Sequence, residues 1–137
     1  MDMTFQEKSL WVMLVGSLVG FGVYFSAVLP GHGASVLPQD VVLFAVAVAM
    51  LVAISVAGHV IIAVLDQRTD ADERDRSIEL AGTRNASYVL ATGVFTSLCV
   101  ALLIPGNFAF THVLLAFWVL AQLVQIASQL VRYRRDA

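Results

Sequence analysis

The residues best equipped for chemistry are carboxylates and arginines crowded into one short stretch. Asp72, Glu73, Arg74 and Asp75 are consecutive, Glu79 follows one turn later, and Arg84 closes the stretch. Asp70 with Glu73 three residues on has the form of a capping box, so a helix is expected to begin near Ala71. On that helix Asp72, Asp75, Arg76 and Glu79 share a face, and Arg76 has Asp72 at i−4 and Glu79 at i+3 as partners. Hard cations want several oxygens converging. One helix face does not make its own oxygens converge, so a second segment or a second copy must complete any cation site. The same charges could dock a protein partner. Arg74 and Arg76 compete for the carboxylates, and the plainer reading is a salt-bridge network that clamps this end of the molecule.

A second set of polar residues lies inside otherwise apolar runs. His59, Thr92 and Gln125 each sit seven residues from the polar flank of their run, and Ser17 sits seven residues after Leu10 at the start of its run, about 10 Å along a helix. They are expected to form one layer, because polar side chains in lipid face the bundle interior. His59 is the imidazole within this layer and could hold a proton or a ligand. The alternative is interhelical hydrogen bonding, worth about 0.6 kcal/mol per contact. Gln122, Gln125 and Gln129 make a stripe that continues to Arg132. The stripe should face other helices, a second copy or a water-filled crevice, since leaving it in lipid is costly. His32 and His112 are expected at the outer surface, where Asp40 could join them. Zinc uses such ligands, but their spacing matches no metal motif, and neither metal nor cofactor is expected. The lone Cys99 excludes an internal disulfide.

The elements that must position these residues are four long uncharged runs. They cover about 10–29, 41–65, 86–104 and 108–131. The first holds 20 residues, about 30 Å as a helix and enough to cross the hydrocarbon core. Lipid offers no partner for backbone polar groups, so the runs must be helical, and no period-two alternation suggests a barrel. All eight Lys and Arg residues fall on one side of the weave: Lys8, then Arg68, Arg74, Arg76 and Arg84, then Arg132, Arg134 and Arg135. The positive-inside rule therefore places both termini and the 66–85 loop in the cytoplasm. The expected fold is an all-α membrane protein, a single four-helix transmembrane bundle with N-in/C-in topology and a charged, partly helical cytoplasmic loop. Its expected location is the cytoplasmic membrane, crossed several times. The acidic start and the length of the first run argue against a cleaved signal peptide.

The composition agrees with this. The chain is 59% hydrophobic and 13% charged, where a soluble domain carries roughly a quarter charged residues. No basic patch is free of interleaved acids, which argues against nucleic acid as a partner. Gly16 and Gly20 form a close-contact motif that could seal the bundle or make a homodimer face. Trp11, Tyr88 and Tyr133 are placed as interfacial anchors. Pro-Gly pairs at Pro30-Gly31 and Pro105-Gly106 end the first and third runs, a hint of two related hairpins.

Asp72-Glu73-Arg74-Asp75, then Ile78-Glu79, then Arg84 resembles the signature of a bacterial and archaeal family of small membrane proteins. That resemblance implies about four spans with this acidic–arginine loop between the second and third, and it implies no reaction, substrate or cofactor. Three functions are weighed. The first is a non-enzymatic module in membrane lipid that self-associates, most simply as a homodimer, or docks a protein partner through the loop. The second is a small transporter or ion pathway lined by His59 and the glutamine stripe. Small multidrug exporters also have four spans but rely on a carboxylate buried in the first, and no run here contains one. The third, a redox or metal enzyme, would need a second His59 from a symmetric dimer to ligate a haem.

Overall fold

The computed structural model describes residues 5–30, 33–65 and 73–135. These residues form four helices: α1 (Phe5–Val28), α2 (Pro38–Leu65), α3 (Glu73–Leu103) and α4 (Phe108–Arg135). All four are long and apolar enough to cross a membrane, and the chain is a multi-pass membrane protein. There is no strand among the described residues.

Local chemistry sets the helix ends. α1 stops before Leu29-Pro30, since a proline pushes the residue before it out of helical geometry. α2 starts with Pro38 at its first position, where a missing N–H costs nothing. Asp40 reaches back to accept the Leu37 N–H at 2.8 Å, the return half of a capping box. α3 ends ahead of Pro105 and Gly106, and Gly106 turns the chain with φ 90°. A side chain there would run into the Ala34 carbonyl. The two loops at this end are stitched together: the Phe108 N–H donates to Ala34 O at 3.1 Å and the Val36 N–H to Asn107 Oδ1 at 2.9 Å.

The charged stretch is helical from Glu73 and runs without a break into the third span. The expected start near Ala71, and with it Asp70 and Asp72, lies outside the described residues. Gly82 neither breaks nor hinges this helix. It is buried because α4 comes close: a Cβ there would stand 2.7 Å from Gln129 Cγ and 2.9 Å from the Gln125 carbonyl oxygen. α1 likewise starts earlier than the uncharged run suggests, at Phe5, because Glu7 and Lys8 extend it at the polar end.

Packing runs in the order α2–α1–α4–α3. α3 lies along α4, α1 along α2, and the two hairpins join through α1 and α4. Small residues make the close contacts, as they do where lipid gives no hydrophobic drive between helices. Gly16 and Gly20 of α1 face α2, their would-be Cβ atoms 3.2 Å from Ile54 Cγ2 and 3.2 Å from the Ala47 carbonyl oxygen. This motif therefore closes the first hairpin. Gly93 of α3 receives Phe117 of α4 in the same way. α1 buries Ser9, Gly16, Ser17, Gly20, Phe21, Tyr24 and Val28 while Val15, Leu18, Val19 and Val23 point outward, so most of the small and polar residues of α1 face the bundle.

Candidate functional site

At the arginine-bearing end, α1, α3 and α4 enclose a cavity of about 260 Å³. Its walls are Ser9 and Met13 from α1, Asp75 and Glu79 from α3, and Gln122, Gln125, Gln129 and Tyr133 from α4. The spacings explain the convergence. Asp75 and Glu79 are one turn apart on α3, and the three glutamines and Tyr133 fall on one stripe of α4. Carboxylates and glutamines that read as two separate features in the sequence thus line one polar pocket. Among the described residues no lysine or arginine is in its wall.

Contacts around the pocket fix its shape. The Tyr133 hydroxyl donates to Asp75 Oδ1 at 2.5 Å. Arg74 Nη2 donates to the Tyr133 carbonyl at 3.4 Å, and its guanidinium stands 6.0 Å from the Tyr133 ring centroid. Gln125 Nε2 donates to Thr83 Oγ1 at 3.3 Å, and Asn85 Nδ2 to Ser128 Oγ at 3.1 Å. Arg134 Nε and Glu7 Oε1 are 3.7 Å apart. The arginine side of this pair is open to water, which screens it. Of the acidic–arginine stretch, Asp75 and Glu79 reach the pocket, Arg74 braces it through Tyr133, and Glu73, Arg76 and Arg84 are exposed away from it. Asp72 lies outside the described residues. Tyr133 is 6% exposed, so it is a buried strut and not an interfacial anchor. Trp11 and Tyr88 do face outward.

His59 approaches the pocket through Ser9. Its Nε2 is 2.5 Å from Ser9 Oγ and its Nδ1 is 2.6 Å from the Ser55 carbonyl one turn back. A carbonyl only accepts, so Nδ1 carries a hydrogen, and in the neutral ring Nε2 takes the Ser9 hydroxyl hydrogen. The expected layer of Ser17, His59, Thr92 and Gln125 does not form. His59 pairs with Ser9, two turns nearer the end of α1 than the buried Ser17. Thr92 faces outward and donates to the Tyr88 carbonyl at 2.9 Å. Counting residues from the polar flank sets depth but not rotation about the helix axis. A threonine that bonds its own i−4 carbonyl no longer needs an interior partner.

The other end holds a cluster that the sequence does not announce. His112 was placed at the outer surface but is 4% exposed. It stacks on Phe108 with ring centroids 4.0 Å apart. Its Nδ1 is 2.8 Å from the Phe108 carbonyl, so by the same argument its Nε2 accepts the Tyr24 hydroxyl at 2.9 Å. Both described histidines are thus held alike, by a carbonyl one turn back and a hydroxyl from α1. The one sequence signal for this is that Ser9, Ser17 and Tyr24 recur every seven or eight residues along α1. Asp40, 1% exposed, sits on the same side as Tyr24. His32 lies outside the described residues. Among the described residues no three His, Cys, Asp or Glu side chains converge on a point where a metal ion would fit.

Comparison of the chain with protein-family models, with curated proteins and with solved structures finds no match.

Proposed function

We propose that the chain is a non-enzymatic membrane module whose working part is the polar pocket at the arginine-bearing end, and that the pocket admits a small cationic solute from the cytoplasm. This develops the ion-pathway expectation. The observation that carries it is the convergence of Asp75, Glu79 and three glutamines on one cavity, with no basic residue in its wall among the described residues. Two carboxylates favour a cation, and amide oxygens can replace part of its water shell. The volume is many times the roughly 15 Å³ that one water requires, so the solute can enter hydrated. The proposal places the protein in the cytoplasmic membrane with both ends inside, following the arginines. It also keeps the resemblance to the four-span family with the acidic–arginine loop.

Substituted cysteines test this. In a Cys99→Ala background, Gln125→Cys should react with a cationic, membrane-impermeant thiol reagent supplied on the cytoplasmic side. The rate should exceed that of an anionic reagent of equal size by roughly tenfold, as field focusing by the carboxylates implies. Adding Asp75→Asn and Glu79→Gln should erase the preference. A cysteine that stays unreactive, or reacts equally with both reagents, refutes the proposal.

A second reading rests on Glu73, Arg76 and Arg84, which are exposed on the helical extension of α3. These charges are available to a protein partner or to a second copy of the chain. Crosslinking in native membranes, with and without charge reversal at Arg76 and Arg84, tests that reading separately.

A further inference from the structure

α3 lies along α4, and at the arginine-bearing end the two helices leave an open groove of about 720 Å³. It shares no wall residue with the polar pocket. Its floor is one stripe of α4. Val124, Ser128, Arg132 and Arg135 follow one another at spacings of four, four and three, which stack side chains on one face of a helix. Asn85 of α3 forms the facing wall, and its Nδ2 donates to Ser128 Oγ at 3.1 Å. The stripe changes character along its length. Val124 and Val131 belong to the uncharged run of the fourth span, and Arg132 is the first charge after it. Val131 is 65% exposed, on the surface that a membrane-spanning helix turns to lipid. From Val124 to Arg135 the stripe extends about 16 Å. The groove therefore begins beside acyl chains and ends among head groups.

The polar half suits a phosphate. Arg132 and Arg135 are both exposed, and two like charges at i and i+3 repel each other. An anion between them relieves that repulsion, and the planar fork of a guanidinium matches phosphate oxygens in pairs. Ser128 accepts from Asn85 and still has a hydroxyl hydrogen to donate. Among the described residues no carboxylate lines the groove. The apolar half decides where the phosphate comes from. A free phosphate would leave Val124 and Val131 uncovered, whereas a phospholipid lays an acyl chain along them. A zwitterionic lipid brings an ammonium group that the arginines repel. Basic pockets between spans hold anionic head groups by the same physics.

We infer that this groove is a binding site for an anionic glycerophospholipid, with the phosphate held by Arg132, Arg135 and Ser128 and an acyl chain laid over Val131 and Val124. The site stands apart from the polar pocket and does not depend on its function.

Native mass spectrometry of the purified full chain, carried in a neutral detergent, counts bound lipids. Phosphatidylglycerol should bind saturably as a single adduct, about tenfold tighter than phosphatidylcholine with the same acyl chains. Arg132→Gln should weaken phosphatidylglycerol by about fivefold, the effect of one basic side chain at a membrane surface. Arg135→Gln, at the end of α4, should do the same and serves if Arg132→Gln does not fold. Arg134→Gln removes an equal charge from the same turn but outside the groove, and affinity should stay within about twofold of the parent. Inorganic phosphate at the concentration of the lipid should not displace it. An equal loss in Arg134→Gln would mean attraction by net charge alone and would overturn the inference. So would displacement by phosphate, which would mean an ion site without a lipid, or a dimer peak that phosphatidylglycerol removes, which would mean a second copy in the groove. Phosphatidylcholine bound as tightly as phosphatidylglycerol would overturn it as well. The same holds for affinity within about twofold of the parent in Arg132→Gln, or in Arg135→Gln where the first variant is unfolded.

Discussion

Tyr133, near the end of α4, donates its hydroxyl to the Asp75 carboxylate at the start of α3 across 2.5 Å. The contact joins the helical extension of the third span to the arginine-bearing end of the fourth and closes one wall of the polar pocket. Tyr133→Phe keeps the ring and deletes the bond. A hydrogen bond to a charged group contributes about 1.5–3 kcal/mol. The variant should therefore melt several degrees lower in detergent, by circular dichroism, with unchanged helix content. An unchanged melting point would show the contact to be incidental.

Ser9 and His59 should behave as one unit. Ser9→Ala and His59→Leu each remove the same interhelical bond, so their effects on unfolding should not add. A double-mutant cycle is expected to return a coupling of about 0.6 kcal/mol, the average for such bonds in a bilayer. Additive effects would separate the two residues.

Three glycines to alanine should rank in a definite order. Gly93→Ala drives a methyl into the base of the Phe117 side chain, which has little freedom to retreat, and should cost about 1–3 kcal/mol. Gly82→Ala meets the Gln125 carbonyl oxygen at 2.9 Å and should push α3 off α4, loosening the pocket. Gly22 has nothing within 4 Å of its would-be Cβ, and Gly22→Ala should be neutral or stabilising. Thermal melts of the three variants in one detergent check the order, and equal shifts would contradict it.

Asn107→Ala should free the Val36 N–H, which now bonds Asn107 Oδ1. About 1 kcal/mol is at stake. The loss should appear as faster amide exchange at Val36, with the arginine-bearing end unaffected. Exchange at Val36 unchanged from the parent would mean that the loops are held by other contacts.

Much of the architecture is legible in the residues. Uncharged runs bounded by Leu29-Pro30, Asp40 and Ile104-Pro105 mark the spans, because charge and proline are costly inside lipid-facing helices. The Asp75–Glu79 spacing and the glutamine stripe each declare a helix face. That the two faces meet was not legible, since it requires knowing that α3 lies along α4 with Gly82 and Gly93 as the points of approach. Tyr24 with His112 was hidden for the same reason: they are 88 residues apart, and α1–α4 adjacency brings them together. Thr92 misled because a side chain that bonds its own helix leaves no trace in the sequence of which way it points.

The hairpins are joined through α1 and α4, and those two helices are translated with α2 and α3 between them. While the ribosome is still making α4, α1 can close on α2 through Gly16 and Gly20, but the Tyr24 hydroxyl and the Phe21 ring have no mate. Before α4 is in place, the α1–α2 hairpin therefore lacks the partners that α4 supplies to Tyr24 and Phe21. That nascent stage is where an insertion chaperone or a membrane protease would find a polar hydroxyl bare in lipid.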